Sequence, residues 1–299
     1  SAYSSDPPLP LQSVTPMTAD SHAIPAAPAA RTSSAPATPL WLPALSLARR
    51  ELVRFLRQRH RIIGALATPI VFWLLIGGGM GRSFQSPAGG AAQGNYLAYF
   101  YPGTVVMILL FTAIFSTISI IEDRREGFLQ SVLVAPISPL AIVMGKVLGG
   151  TALAFGQGLL FLLLAPLVGF HFTPVGFLLA LIVMFVTAAG LTALGFCIAW
   201  RMNSTQGFHA IMNLFLMPMW FLSGALFPPE GAWVGLRYAI YANPLSYGLS
   251  GLRQAMTWTG DAAAWSNIAL SLGVSVVFAG ALIALAAVVA RTRTQGDLH

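Results

Sequence analysis

Charged residues are scarce in this chain. They make up 8% of the sequence, against 56% hydrophobic residues, whereas typical soluble domains carry about 25% charged residues. No charged residue stands between Arg82 and Glu122, between Lys146 and Arg201, or between Arg201 and Glu230. Each of these stretches exceeds the roughly 20 apolar residues that cross a bilayer as a helix. The composition therefore predicts a polytopic, all-α membrane protein.

Several groups that carry chemistry are also missing or isolated. The one cysteine, Cys197, lies in an apolar run, which excludes an internal disulfide. The five histidines are scattered, and no pair has the spacing of metal ligands. The single lysine, Lys146, lacks the surrounding glycines and hydroxyl residue of a phosphate-binding loop. We therefore expect no metal site, no catalytic site and no ATP site on this chain.

Gradient-driven transport and intramembrane catalysis find little support. Ion- and proton-driven carriers keep ionisable groups inside the membrane, and the apolar stretches offer only the neutral Gln157 and Asn213 for such a role. Ser223 and His209 could share one helix, but their numbers differ by 14, which is about 21 Å along a helix and too far for a hydrogen bond. A secondary carrier and a non-transporting assembly or sensor subunit stay open as alternatives.

The first 61 residues divide into a tail and an amphipathic helix. Residues 1–40 are rich in Pro, Ala, Ser and Thr, and they carry too few large apolar groups to offset the entropy of ordering, so a disordered tail is predicted. Because the chain begins with serine, we expect a truncated or processed start. Residues 41–61 predict a basic helix in the membrane interface, rather than a DNA-binding helix, because membrane segments follow directly. Its apolar face would consist of Leu45, Leu52, Phe55 and Leu56.

Six apolar segments are predicted to cross the membrane as helices. They are residues 62–80, 96–121, 139–168, 174–200, 208–227 and 266–290. Together they form a transmembrane domain of residues 62–291, which a short cytoplasmic tail of residues 292–299 follows. Between the fifth and sixth spans, residues 228–265 are too apolar for a free loop, and Asn243-Pro244 is a helix-start pair. We expect two short helices that re-enter the outer edge of the membrane and pack against protein.

Arginine and lysine are shared unevenly between the two sides of these spans. Of the 16 Lys and Arg residues, twelve fall on one side, three on the other and one in the tail. The twelve are Arg49, Arg50, Arg54, Arg57, Arg59, Arg61, Arg124, Arg125, Lys146, Arg201, Arg291 and Arg293; the three are Arg82, Arg237 and Arg253. Because the richer side is normally cytoplasmic, both termini and the loop after the second span are predicted to be cytoplasmic.

That loop holds much of the remaining polarity. It reads IEDRREGFLQSVLVAPISPLAIVMGK from Ile121 to Lys146, with five consecutive charged residues followed by apolar residues at helical spacing. Pro136 then breaks the pattern, and Ser138-Pro139 predicts the start of a new helix. A short amphipathic helix on the membrane surface is therefore predicted between two spans.

The same run resembles the cytoplasmic loop of permease subunits of ATP-binding-cassette exporters, in the type-2 membrane-domain family. These proteins share the acidic-basic-Glu-Gly pattern, the apolar residues, the Pro-Ile-Ser and the Gly-Lys of this run. A second run, residues 221–256, resembles the family's outer re-entrant segment with its Asn-Pro-Leu-Ser-Tyr element. With the amphipathic N-terminal helix, the resemblance covers residues 41–291. It implies an exporter permease in the cytoplasmic (inner) membrane of a bacterium.

The resemblance also implies partners for the chain. Two permease copies, identical or homologous, would bind two cytoplasmic ATPase subunits, which would hold ATP and Mg²⁺, while this chain would hold no cofactor. The coupling helix, residues 125–134, would dock into the ATPase. We expect the coupling contact at Glu122, Arg125, Glu126, Gly127, Phe128, Leu129 and Val132.

Apolar path walls favour a hydrophobic or amphipathic cargo such as a lipid, a drug or a lipid-linked glycan. The path is predicted at Met107, Phe111, Phe115, Phe215, Met219 and Trp220, although the same residues could serve only as bundle packing. Gly145 and Gly149 predict a close helix contact, either at a dimer seam or inside the bundle. We expect contacts with membrane lipid and none with nucleic acid.

Overall fold

The computed structural model describes residues 40–80, 96–128 and 138–294. Within these ranges every regular element is a helix. The all-α fold predicted from composition is therefore confirmed for this part of the chain. The predicted N-terminal tail lies outside the described residues, apart from its last residue.

The α-helices are numbered here in chain order. They are α1 Trp41–Arg57, α2 Arg59–Gly79, α3 Tyr96–Ser116, α4 Ile118–Arg125, α5 Pro139–Leu162, α6 Pro174–Ala199, α7 Thr205–Phe221, α8 Val234–Ala242, α9 Pro244–Met256 and α10 Ala262–Thr294. Two 3-10 helices, Ala165–Val168 and Pro229–Gly231, lie between α5 and α6 and between α7 and α8.

Among the described residues, five helical segments are long and apolar enough to cross a membrane. They are Ile62–Gly79, Tyr96–Arg125, Pro139–Leu162, Pro174–Ala199 and Ala262–Arg291. The segment predicted as a further span is occupied by α7, which has 17 residues and is followed by a turn in which Gly224 has φ +80°. Such a helix is about 25 Å long, slightly less than the roughly 30 Å of a hydrocarbon core. The fifth predicted span, residues 208–227, therefore stays a prediction.

Side-chain caps and prolines set the starts of several helices. The hydroxyl of Ser138 accepts a hydrogen bond from the backbone N–H of Ala141 at 3.2 Å and caps α5. The side-chain oxygen of Asn243 accepts one from the N–H of Leu245 at 3.1 Å and caps α9. In both helices a proline follows the cap, where its missing N–H costs nothing. The two helix starts predicted from Ser-Pro and Asn-Pro are confirmed.

Helix α3 forms the centre of the bundle. Of 18 consecutive apolar residues in the segment Tyr96–Arg125, 94% are buried, against 12% of those in Ile62–Gly79 and 22% of such a stretch in Ala262–Arg291. α3 packs against α2, α5 and α6. The peripheral α2 and α10 bury far fewer of their residues and expose apolar side chains such as Leu75 and Val277, as helices that face lipid do.

The second span continues beyond its predicted end at residue 121. Only Thr117 separates α3 from α4, and α4 carries the charged residues Glu122 to Arg125 on its last turn. These charges therefore extend the central helix and do not belong to a loop. The chain turns after it, and Gly127 has φ +75°, a conformation that glycine adopts without steric cost. The predicted coupling helix can begin only after this turn, and all of it beyond Phe128 lies outside the described residues.

Helix α1 confirms the predicted amphipathic helix but packs through a different face. Its buried residues are Ala44, Leu47, Glu51 and Phe55. Of the face predicted to be apolar, Phe55 is buried, whereas Leu45 is 59% exposed and Leu56 57% exposed, so the contact of this face with the membrane interface stays a prediction. The reason for the different packing face lies in α5, whose small residues admit the Ala44–Leu47–Glu51 side of α1.

Gly145 and Gly149 allow α1 to lie directly against α5. A Cβ atom at Gly145 would lie 2.7 Å from Cβ of Leu47, and one at Gly149 would lie 2.9 Å from Cβ of Glu51. These distances are shorter than carbon atoms tolerate, so a larger residue would separate the helices. Of the two roles left open for the glycines, the structure assigns them to an internal contact.

Replacing Gly149 by valine should therefore loosen α1 from the bundle. We expect a loss of about 1–3 kcal/mol, typical of overpacking, visible as a lower unfolding temperature in mild detergent. The matched control is Gly156→Val on the same helix, because nothing lies within 4 Å of a Cβ added there. Equal losses in both variants would show that helix propensity, and not the contact with α1, is responsible.

Candidate functional site

Six ionic side chains join α1, α4 and α5 at one end of the bundle. This group, called the charge cluster below, consists of Arg50, Glu51 and Arg54 on α1, Glu122 and Asp123 on α4, and Lys146 on α5. Three cations face three carboxylates, so the cluster is balanced in formal charge.

Asp123 is the centre of the charge cluster. Its side chain has no solvent exposure, and its two oxygens accept hydrogen bonds from Arg50 at 3.0 and 3.1 Å and from Arg54 at 2.7 Å. The ammonium group of Lys146 donates to the same carboxylate. Because an unpaired buried carboxylate is very costly, three cations from two other helices are what make this burial possible.

Lys146 is held between two carboxylates. Its side chain is 4% exposed, and Nζ donates to Glu51 at 2.6 Å, to the hydroxyl of Ser119 at 3.3 Å, and to Asp123. The three donors of the ammonium group are therefore all used. The side chain of Glu51 is itself only 7% exposed, and it reaches Lys146 because Gly149 lets α1 come close.

Arg50 connects the charge cluster to Phe128, which belongs to the predicted coupling helix, residues 125–134. Its guanidinium carbon lies 3.6 Å from the centroid of the Phe128 ring, in a cation–π contact. Burial lowers the pKa of Arg50, but the hydrogen bond and the charge of Asp123 raise it above its ordinary value. Arg50 therefore stays positively charged while it contacts both residues.

The remaining arginines of α4 hold the chain segment after α6. Arg124 donates to the carbonyl oxygens of Trp200 at 2.7 Å and Met202 at 3.1 Å, and to the side-chain oxygen of Asn203 at 3.1 Å. Arg125 donates to the carbonyl oxygen of Asn203 at 3.1 Å. A cation at a helix C-terminus satisfies the free carbonyl groups there. Helix α4 is thus tied to α1 and α5 on one side and to α6 on the other.

The residues predicted as the coupling contact differ in their accessibility. Glu122 is paired with Arg54 at 3.0 Å, whereas Arg125 and Glu126 are exposed. Gly127 forms the turn and Phe128 packs under Arg50. Leu129 and Val132 lie outside the described residues. The contact with an ATPase therefore stays a prediction.

The residues predicted to line the path do not share one surface. Met107 and Trp220 are buried in the core, and the indole N–H of Trp220 donates to the carbonyl oxygen of Gly103 at 2.9 Å. Phe215 is 63% exposed on α7, and Met219 is partly buried. Their part in a path also stays a prediction.

The other two path residues belong to a cavity. Phe111 and Phe115 line a space of about 260 Å³ together with residues of α1, α2 and α7, including His209. The rings of Phe115 and His209 are 5.3 Å apart. Thr112 also lines this cavity, and its hydroxyl donates to the amide oxygen of Gln157 at 2.5 Å.

The pairing of the charge cluster was missed in the sequence. The pattern of residues 41–61 leaves Arg50, Glu51 and Arg54 outside the predicted apolar face and predicts no partner for them. A signal existed, because Glu51 is the only acidic residue among residues 41–61 and Lys146 is the only lysine of the chain. In so apolar a protein, such isolated opposite charges are expected to pair.

In the described part of the chain, no three His, Cys, Asp or Glu side chains are placed to hold a metal ion.

Comparison with known proteins identifies the family. The model of the ABC-2 type transporter family matches residues 44–257. The chain belongs to this family. It is a membrane (permease) subunit of an ABC-2 transporter, as its resemblance in the loop and the re-entrant segment predicted. The matched region begins in α1 and ends directly after α9, so it includes the charge cluster.

Three relatives show how far the similarity extends. The putative transport permease ycf38 of Cyanophora paradoxa is 26% identical over 69% of this chain and 71% of that protein. Nodulation protein J of Rhizobium leguminosarum bv. viciae is 26% identical over 73% of this chain and 81% of its own length. The inner membrane transport permease YadH of Escherichia coli K12 is 25% identical over 80% of this chain and 90% of its own.

Replacing Lys146 by methionine should strongly destabilise this permease. Two carboxylates, Glu51 and Asp123, would then remain buried beside an apolar side chain, and breaking a buried pair in this way costs about 3–5 kcal/mol. The double variant Lys146→Met with Glu51→Met should recover much of that loss, because Asp123 keeps both arginines. Thermal unfolding of the four proteins in detergent gives the coupling energy, and additive effects of the two substitutions would contradict the pairing.

Proposed function

We propose that this permease forms, together with a second permease copy, the membrane path of an ATP-driven exporter. Two ATPase subunits on separate chains would bind and hydrolyse ATP, with Mg²⁺, and this chain would contribute no catalytic residue. Membership of the ABC-2 family supports the proposal, as does the lack of a phosphate-binding loop motif in the sequence. The observation that carries it is the charge cluster, which connects the predicted coupling helix to three helices.

The location follows from the same family and from the charges. YadH, which is similar to this chain over most of its own length, is named an inner membrane transport permease. We infer that this chain also lies in a bacterial inner membrane. The charge cluster lies on the arginine-rich side, which the positive-inside rule makes cytoplasmic. Helix α7 would be the fifth of six spans, so that both termini are cytoplasmic.

The proposed coupling begins at the turn after α4. An ATPase that binds the segment after Gly127 would move Phe128, which contacts Arg50, and Arg50 is bonded to Asp123. Because α4 directly continues α3, a displacement at Asp123 would be carried along the central helix. The ion pairs would make α1, α4 and α5 move as one body.

The proposed cargo is hydrophobic or amphipathic, such as a lipid, a drug or a lipid-linked glycan. Helix α7 buries one row of side chains at four-residue spacing, and its other face is exposed and apolar. That exposed face includes Ile211, Leu214 and Phe215. We propose that it faces the path or the second permease copy, since large exposed apolar surfaces mark such contacts.

The first test is purification of the chain in mild detergent from its own host, with identification of co-purifying proteins by mass. We expect a soluble protein with a phosphate-binding loop in stoichiometric amount. If no ATPase binds at any salt concentration, the exporter proposal fails, and gradient-driven flux should be measured to test the secondary carrier.

The coupling contact is tested by Phe128→Asp combined with Leu129→Asp. Placing two charges on the apolar side of the segment should abolish ATPase co-purification and ATP-dependent export, while membrane insertion continues. The matched control, Phe128→Leu with Leu129→Met, keeps that side apolar and should retain both activities. Export retained in the double aspartate variant would rule out the coupling role.

A further inference from the structure

A second and larger cavity lies at the end of the bundle opposite the charge cluster. Its volume is about 810 Å³, and side chains from α3, α9 and α10 and from the segments after α5 and α7 line it. Tyr99, which lines it, precedes Asp123 by 24 positions on α3 and α4, about 36 Å along a helix. Ligand cavities of this size hold drug-sized or lipid-sized molecules.

Within the described ranges, Arg253 is the only arginine or lysine in the wall of this cavity. One of its terminal nitrogens donates to the carbonyl oxygen of Gly224 at 2.9 Å, and its guanidinium carbon lies 4.4 Å from the centroid of the Tyr99 ring. Among the described residues it makes no ion pair with a carboxylate, and its Nε is buried without a hydrogen-bond partner. An unused buried N–H donor costs free energy until an acceptor reaches it, and an anionic acceptor would also balance the charge of this guanidinium.

Two further observations concern the polar part of the wall. Gln254 donates to the hydroxyl of Ser250 at 2.9 Å, while its amide oxygen is buried without a partner. Glu230 and His171 also line the cavity, and Glu230 is the one carboxylate among the lining residues that the structure describes. The wall therefore offers polar groups from several elements together with apolar side chains such as Phe170, Trp258 and Leu270.

We propose that this cavity binds the anionic headgroup of an amphipathic cargo, a phosphate or a carboxylate, and that Arg253 recognises it. The apolar wall accommodates the chain of the same molecule. A guanidinium group matches the geometry of an oxyanion through paired N–H donors, and its stacking on Tyr99 holds the group in place. This inference rests on the proposed function, because it names the chemical class of the exported molecule.

The test uses the purified intact chain in an uncharged detergent and three soluble probes. Octyl phosphate carries an anionic head on an apolar chain, octyl glucoside carries an uncharged head on the same chain, and inorganic phosphate has no chain. Isothermal titration of the protein should show octyl phosphate binding at least about tenfold more tightly than either of the other probes.

Substitutions of Arg253 separate recognition from packing. Arg253→Gln should reduce the preference for octyl phosphate over octyl glucoside to less than about threefold, and Arg253→Lys, which keeps the charge, should retain most of it. The matched control is Arg237→Gln, an exposed arginine of α8 that does not line the cavity, and it should bind as the unsubstituted protein does. Unfolding temperatures show whether each variant is folded.

Equal affinities for octyl phosphate and octyl glucoside in the unsubstituted protein would overturn the proposal, and this comparison needs no variant. An undiminished preference in folded Arg253→Gln would overturn the role of Arg253. If inorganic phosphate binds as tightly as octyl phosphate, the apolar chain contributes nothing, and the ligand of this cavity is a free anion and not an amphipathic molecule. The titration requires no ATPase, so the two proposals can fail separately. If the chain co-purifies with an ATPase but binds octyl phosphate no more tightly than octyl glucoside, only the headgroup site is refuted. If the chain prefers octyl phosphate but binds no ATPase, only the exporter proposal is refuted.

Discussion

The buried carboxylate of Asp123 is the constraint on which the charged end of this permease depends. It stands on the central helix with no solvent exposure, and such a group is stable only when cations replace its water. Arg50 and Arg54 come from α1, and Lys146 comes from α5. The carboxylate of Asp123 therefore holds both of these helices against α4 through ion pairs.

This arrangement explains why a surface helix is an integral part of the bundle. α1 lies against α5 through Gly145 and Gly149, and its charged side chains enter the protein instead of the solvent. Buried ion pairs contribute little net stability compared with apolar packing, but they are directional. In the coupling that we propose, such directional contacts would preserve the mutual orientation of the helices during a displacement. Phe128, next to Arg50, is where such a displacement would enter.

Much of the fold could be predicted because its causes are local. Apolar length predicts the spans, and side-chain caps with prolines at Ser138 and Asn243 predict where helices start. The sequence did not predict which face of α1 packs against the rest of the protein. Periodicity shows that a helix has an apolar side, but Leu45 and Leu56 face outward, because in a membrane the surroundings of a protein are apolar too. Hydrophobicity therefore does not separate the packed face from the lipid face.

By itself, the sequence determined the all-helical class, the order of the apolar segments and the family, since these depend on composition and on neighbouring residues. Only the tertiary structure decided which charges pair and where they are buried. Glu51 and Lys146 are 95 positions apart, and Asp123 meets Arg50 across 73. No local pattern encodes such contacts, because they follow from how closely whole helices approach. The same reason applies to Arg253, whose cavity exists only where several separate segments meet.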